Sequence, residues 1–295
     1  MDNRFSKWLS AFVAVFILLT LPFVVPFSGI SAGAETAPIT TLPAREGIAV
    51  ATAVKVPVIM YHSVSRGSPG KYVIPPETLE EDIIYLKNAG YETVFVSDIV
   101  DYVLGKSALP EKSIALTFDD GHYNFLSQVV PILKEREARA TVSVVGSFTD
   151  KEKGQTRRSS YFSYLSPEEL AAVALSGTVE IGNHSYALHS GLGAKPLWGE
   201  GYERYKARFT RDTEKCDALI RECGGKPRVY TCPFGCYDGF TARAVREYGY
   251  GAMLTCEEGI NEFSPGVADT LYKIKRFNRP YGEKSDKYFK NRGIV

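Results

Sequence analysis

Ile114-Ala115-Leu116-Thr117-Phe118-Asp119-Asp120-Gly121 is the stretch that decides how this chain is read. An apolar run buried on both faces is the mark of a strand inside a parallel sheet, and here it ends abruptly in two carboxylates. Charge at the end of such a strand is costly unless it is paired or bound to a cation. One aspartate would be enough to cap the helix expected at 125–137. Two call for another explanation, and Gly121 allows the turn by which both could face one cavity.

On either side of this stretch, β-rich runs alternate with amphipathic segments. Strands are expected at 56–60, 93–96, 114–118, 140–145, 179–182, 229–230, 252–255 and 271–274. Between them lie helical patterns at 76–86, 97–104 (capped by Ser97), 125–137, 166–175, 203–222 and 241–248. Ser166-Pro167-Glu168-Glu169 is a strong helix start, and 151–160 reads as a solvated loop. Such alternation implies parallel strands joined by crossover helices, an α/β fold. No Gly-x-Gly-x-x-Gly or Walker loop follows the first strand, so a nucleotide-binding sheet is excluded. The span 55–295 suits a single (β/α) barrel, in which chemistry gathers where strands end.

Residues 1–34 stand apart. Arg4 and Lys7 precede an apolar run from 8 to 27, and Ala32-Gly33-Ala34 follows it. This pattern is expected to be an export signal peptide or a retained membrane anchor, with 35–54 as a flexible tether. A secreted protein, or one held on the outer face of the cytoplasmic membrane, is the expectation. With 35 basic and 34 acidic side chains the net charge is +1, which gives no reason to bind nucleic acid. Five cysteines cannot all pair within one molecule. Cys216 and Cys223 share a helix face and read as core; Cys232 and Cys236 read as packing or an optional disulfide, and Cys256 stands alone.

The chain has four histidines, His62, His122, His184 and His189, and each follows an expected strand. In a barrel those positions meet on one rim. His184 and His189 are five apart, a spacing that points two side chains away from each other on a helix or a strand, so a loop must bring them together. Two imidazoles and a carboxylate make a three-ligand site with an open position, and a metal there brings the pKa of water towards neutrality. The second carboxylate would take the proton. The pattern points to metal-assisted hydrolysis of a carbonyl compound. Tyr61, Tyr123 and Tyr237 are candidates for stacking on sugar rings.

Thr117-Phe118-Asp119-Asp120-Gly121, with His184-Ser185 and His189, resembles the polysaccharide deacetylases of carbohydrate esterase family 4, the NodB-homology domain. The likeness runs from about 56 to 278. It implies a distorted β/α barrel, with Asp120, His184 and His189 holding a divalent metal, usually zinc, with cobalt or another divalent ion as alternatives. Asp119 becomes the general base. Thr231-Cys232-Pro233-Phe234-Gly235 resembles the family's Arg-Pro-Pro-Tyr-Gly segment, so Pro233 and Phe234 line the groove and the Phe234 N–H helps hold the oxyanion. The arginine that buttresses the base in the family is replaced by Thr231, and Arg276 is the candidate substitute. No histidine lies beyond 189 to serve as the acid, and His62 takes that place. This arrangement is similar to the circularly permuted branch that includes the poly-β-1,6-N-acetylglucosamine deacetylases.

The resemblance implies removal of N-acetyl groups from an acetylated amino-sugar polysaccharide, with His62 protonating the departing amine. An O-acetyl (xylan-type) esterase, a non-catalytic carbohydrate-binding relative and a non-haem iron oxygenase are the alternatives. His122 could touch substrate, hydrogen-bond a ligand carboxylate or have only a local role.

Overall fold

A computed structural model describes residues 53–160 and 162–295. The expected export segment, residues 35–52 of the tether and Tyr161 lie outside the described residues. No helix among the described residues is long and apolar enough to cross a membrane.

Eight strands make the main sheet: β1 (Val58–Tyr61), β2 (Glu92–Val94), β3 (Ser113–Phe118), β4 (Ala140–Val144), β5 (Val179–Asn183), β6 (Val229–Thr231), β7 (Ala252–Leu254) and β8 (Phe277–Asn278). Every pairing within it is parallel, and the order is β7-β6-β5-β4-β3-β1-β8, with β2 also against β3. The ends of the sheet approach each other. Leu254 at the end of β7 bridges in parallel to Ile274, three residues before β8, and the Thr255 N–H donates to the Ile274 carbonyl at 2.9 Å. The result is the distorted (β/α) barrel expected, as one domain.

Alternation along the strands sets what faces where. Ile59 and Tyr61 of β1, with Leu116 and Phe118 of β3, pack outward against Leu79, Ile83 and Leu86 of helix α1 (Pro76–Asn88). Val58 and Ala115 join a second cluster with Val229, Ala252 and Leu254. One step further towards the strand ends, polar groups appear. Ser143 and Thr231 are hydrogen-bonded through their hydroxyls at 2.7 Å, and Thr117 meets Arg276 at 3.2 Å. The barrel is apolar at one end and polar at the other.

Several expected elements shift. Helix α2 (Val96–Val103) begins one residue early, and its opening N–H, that of Phe95, is satisfied by the Asp98 carboxylate at 3.0 Å. Ser97 is not its cap; its own N–H donates to Glu180. The expected helix at 125–137 divides into a wide π turn (Phe125–Val129) and α3 (Val130–Glu135), because Pro131 has no N–H to continue the ladder. The strand expected at 271–274 is a 3-10 turn (Ala268–Lys273), which buries Leu271, and the closing strand comes at Phe277–Asn278. Ser166 does cap its helix, α5 (Pro167–Ala174), in a reciprocal box with Glu169. All five cysteines are free thiols, so Cys232 and Cys236 are not bridged, and Cys216 and Cys223 lie in the core.

Candidate active site

The polar end of the barrel opens into a cavity of about 550 Å³ lined by His62, Asp119, Asp120, His122, His184 and His189, with Phe234 at its edge. Each element supplies its residue at a C-terminal strand end: His62 after β1, the aspartates after β3 and His184 after β5. Asp120 and Gly121 both adopt left-handed backbone, φ 72° each. That turn lets adjacent carboxylates share a cavity, and it costs roughly 1 kcal/mol at the non-glycine position. A Cβ at Gly121 would come within 2.8 Å of the Val144 side chain, so glycine is required there by space as well as by angle.

The loop after β5 brings its two histidines together. Ser185 takes a left-handed turn (φ 70°), and its N–H is held by the Asn183 side chain at 2.7 Å. Asp212, on helix α6 (Tyr202–Glu222), accepts the N–H groups of Tyr186 and Ala187 at 2.8 Å each. Nε2 of His184 and of His189 then lie 3.5 and 3.1 Å from Asp120 Oδ1. His184 Nδ1 is 2.8 Å from the Thr231 carbonyl, which can only accept; the proton must sit on Nδ1, leaving the Nε2 lone pair facing the cavity.

Asp120, His184 and His189 each offer a ligand atom, all within 4.8 Å of one another. Among the described residues they are the group that could hold a metal ion. Their chemistry fits one. Asp120 Oδ1 is buried without a hydrogen-bond donor, although imidazole nitrogens surround it. The His184 Nε2 lone pair, turned towards that oxygen, repels it unless a cation stands between them. Burial pushes the Asp120 carboxyl upward, but His122, His189 and His184 outweigh it and hold it well below the usual carboxylate range.

Asp119 points into the barrel interior. Arg276, itself fully buried, grips it with both arms, Nη1 to Oδ1 at 2.7 Å and Nη2 to Oδ2 at 2.8 Å. Its Nε donates to the Thr255 carbonyl at 2.8 Å. Burial raises the Asp119 carboxyl, yet Arg276, His184 and His62 together bring it below its ordinary value. The Thr231 side chain, by contrast, reaches the Ser143 hydroxyl and not Asp119. The His62 ring lies 4.6 Å from that of Tyr72; burial lowers its pKa, while Asp119 and Asp120 pull it back up.

Phe234 is half exposed at the cavity edge, with left-handed φ (57°) and its ring 4.3 Å from that of His189. The next residue must be glycine, since a Cβ at Gly235 would lie 2.5 Å from that of Cys256.

Other candidates are not brought to the cavity. Tyr61 is buried on the outer face of β1, stacked on Phe118, with its hydroxyl donating to Asp82 at 3.0 Å. Adjacent strand residues face opposite ways, so His62 and Tyr61 could not both line the cavity. Tyr123 is covered by the Arg158 guanidinium at 4.6 Å, Pro233 is buried in its 3-10 turn, and the Tyr237 hydroxyl is engaged by Glu257. Met60, Lys71, Tyr72, Cys256, Glu258 and Asn278 line the cavity without having been singled out for it. Met60, Cys256 and Asn278 sit in or just after strands β1, β7 and β8, the signal that could have found them.

Comparison with known proteins agrees with this geometry. The family model for polysaccharide deacetylase matches residues 106–253. The poly-beta-1,6-N-acetyl-D-glucosamine N-deacetylase of Escherichia coli K12 is 26% identical over 249 residues, covering 75% of this chain and 36% of that protein. The chain thus spans about a third of the length of that relative. Among solved structures, a de-N-acetylase from Aggregatibacter actinomycetemcomitans superposes with a TM-score of 0.67 at 24% identity, over 82% of this chain and 100% of that one, a likeness of fold. The BpsB deacetylase domain from Bordetella bronchiseptica does so with a TM-score of 0.61 at 28% identity, over 76% and 95%. With half of its length matched by the family model and the Asp-Asp-Gly turn, both histidines and the barrel all in place, the chain belongs to the polysaccharide deacetylase family.

Proposed function

We propose that this protein is a metal-dependent hydrolase that removes N-acetyl groups from an N-acetylglucosamine polysaccharide, of the β-1,6-linked kind named for its Escherichia coli relative. The observation that carries this reading is one carboxylate, Asp119, gripped by Arg276 beside a separate Asp120–His184–His189 donor set in the same cavity. A base and a ligand set, kept distinct, are what amide hydrolysis needs.

Asp120, His184 and His189 would hold the metal, with zinc the ion best suited to two imidazoles and a carboxylate and cobalt a workable substitute. When bound, a divalent cation supplies Lewis acidity, polarising an acyl carbonyl and acidifying water. Asp119 accepts the proton of the attacking water; Arg276 keeps it ionised and fixes both oxygens, so it cannot swing towards the ligand set. His62 lines the same cavity and gives a proton to the departing amine. Phe234, half exposed against His189, presents an apolar face to a sugar ring at the cavity edge. An exported polymer as substrate accords with the apolar leader at 8–27, which supports a secreted or outer-face location.

Acetate release tests the reading. The purified chain is incubated with β-1,6-linked N-acetylglucosamine oligomers, chitooligosaccharides, peptidoglycan and acetylated xylan, with and without a chelator. We expect release from the β-1,6-linked amides, lost on chelation and restored by Zn²⁺ or Co²⁺. Release from acetylated xylan alone would make the protein an esterase; none from any substrate would leave a sugar-binding relative.

A further inference from the structure

His122 is not part of the ligand group, yet it touches it. Its Nε2 lies 3.5 Å from Asp120 Oδ2, while the imidazoles of His184 and His189 face Oδ1 of the same carboxylate. We propose that His122 is a positioning residue for the metal site, holding one oxygen of Asp120 so that the other is presented to the cation with the two histidines. This rests on the metal-site reading above.

Several features fix His122 in place. It follows the left-handed pair Asp120–Gly121, so its direction is set by that turn. Its ring stacks on Tyr164, with centroids 5.3 Å apart and planes 20° from parallel, and residues 122 and 164 form an antiparallel bridge. Flanking backbone bonds, Tyr123 N–H to Ser163 at 3.0 Å and Leu165 N–H to Gly121 at 2.8 Å, seal the two segments together. Tyr164 in turn packs on Phe148 at 4.4 Å, and Phe148 meets His189 edge-on at 5.6 Å. One arc of rings thus runs from the residue beside Asp120 to a ligand histidine. Arg158 anchors the far side of the arc through Glu152 and Glu169, each at 2.9 Å.

An ionised carboxylate only accepts, so the nitrogen facing it carries the proton, and a neutral imidazole is sufficient. A carboxylate with both oxygens free can turn about its own axis. Holding one of them removes that freedom before the cation arrives, the part usually played by groups that hydrogen-bond metal ligands.

The test is Zn²⁺ affinity of the purified chain, measured by competition with a chromophoric chelator, with the visible spectrum of the Co²⁺ form as a second readout. His122→Phe keeps the ring stack and loses the nitrogen; we expect Zn²⁺ to bind about 10–100-fold more weakly and the Co²⁺ bands to change. His122→Gln offers an amide N–H at similar reach and should recover most of the affinity. His122→Asn, too short to touch Asp120, should behave as the Phe variant does and replaces it if that variant does not fold. Parent-like Zn²⁺ binding by the Phe or Asn variant overturns the proposal, as does a Gln variant as weak as Phe. Failure of the parent to bind Zn²⁺ would overturn the metal site itself, a distinct result that requires no substrate.

Discussion

Two arginines three positions apart, Arg276 and Arg279, each clasp both oxygens of an aspartate through two guanidinium nitrogens, Nη1 and Nη2 in Arg276 and Nε and Nη2 in Arg279, and the two pairs behave oppositely. Arg276 holds Asp119 at 2.7 and 2.8 Å; Arg279 holds Asp82 at 2.8 and 3.0 Å. All four side chains are buried. For both carboxyls burial is the largest influence and acts upward. Asp82 stays raised, with Arg279 its one cation and the hydroxyls of Ser285 and Tyr61 adding only neutral donors. Asp119 ends below its ordinary value because Arg276 is joined by His184 and His62. A single guanidinium does not offset desolvation at Asp82; at Asp119 the neighbouring imidazoles of His184 and His62 add to what the guanidinium does. The same ion pair is therefore a brace where it is sealed in, and where it borders the cavity it goes with a carboxyl held below its ordinary value.

The sharpest way to break the contrast is Asp119→Asn. Acetate release should fall by roughly 10²–10⁴ in kcat, the usual weight of a positioned base, while Zn²⁺ binding persists. Near-normal turnover would remove Asp119 from its role.

Exchanging the arginines comes next. Arg279→Met leaves Asp82 buried without its partner, and urea denaturation should show a loss of about 3–5 kcal/mol with turnover per folded molecule unchanged. Arg276→Met should act on chemistry instead. Removing the cation raises the Asp119 carboxyl; a base works only when ionised, so the acid limb of the pH profile of kcat/KM should move to higher pH. An unmoved limb would show that Arg276 is only a brace.

The smallest effect concerns His62 in the metal-free protein. Its folded pKa is lowered chiefly by burial. As pH falls through the ordinary histidine value the unfolded chain takes up a proton that the folded chain resists, so stability declines from there down to the folded pKa. His62→Gln should flatten that part of the Tm-against-pH curve by a few degrees; an identical curve would mean that the site does not disfavour the imidazolium.

Much of this was readable in the chain because it depends on period and punctuation. The apolar run into Asp119-Asp120-Gly121 marked a strand end, and four histidines after strands marked a rim. Arg276 could be named only as a substitute for what Thr231 lacks, since its reach across the barrel is a matter of closure and not of spacing. Tyr61 was misassigned through neglect of alternation: its neighbour His62 claimed the inner face. The strand expected at 271–274 gives way to a 3-10 turn ending at Lys273, and only Ile274, just past the turn, is extended and bridged to the sheet; so short a run does not separate the two conformations by period. The contact of His122 with Asp120 is one of the roles the sequence leaves open; choosing it needs the left-handed backbone at Asp120, which no pattern of residue types announces.

The barrel's closure has a consequence for biosynthesis. Asp119 and Arg276 are 157 positions apart, and the ion pair forms across the seam where the chain's last strand docks. A nascent polypeptide has already emitted Asp119, Asp120, His184 and His189 when that arginine is still to be translated. Until it arrives, the carboxylate lacks the guanidinium that grips it, so on the proposed mechanism catalytic competence is acquired late in synthesis. On the proposed mechanism, a protease cutting ahead of Arg276 would disarm the protein while sparing Asp120, His184 and His189.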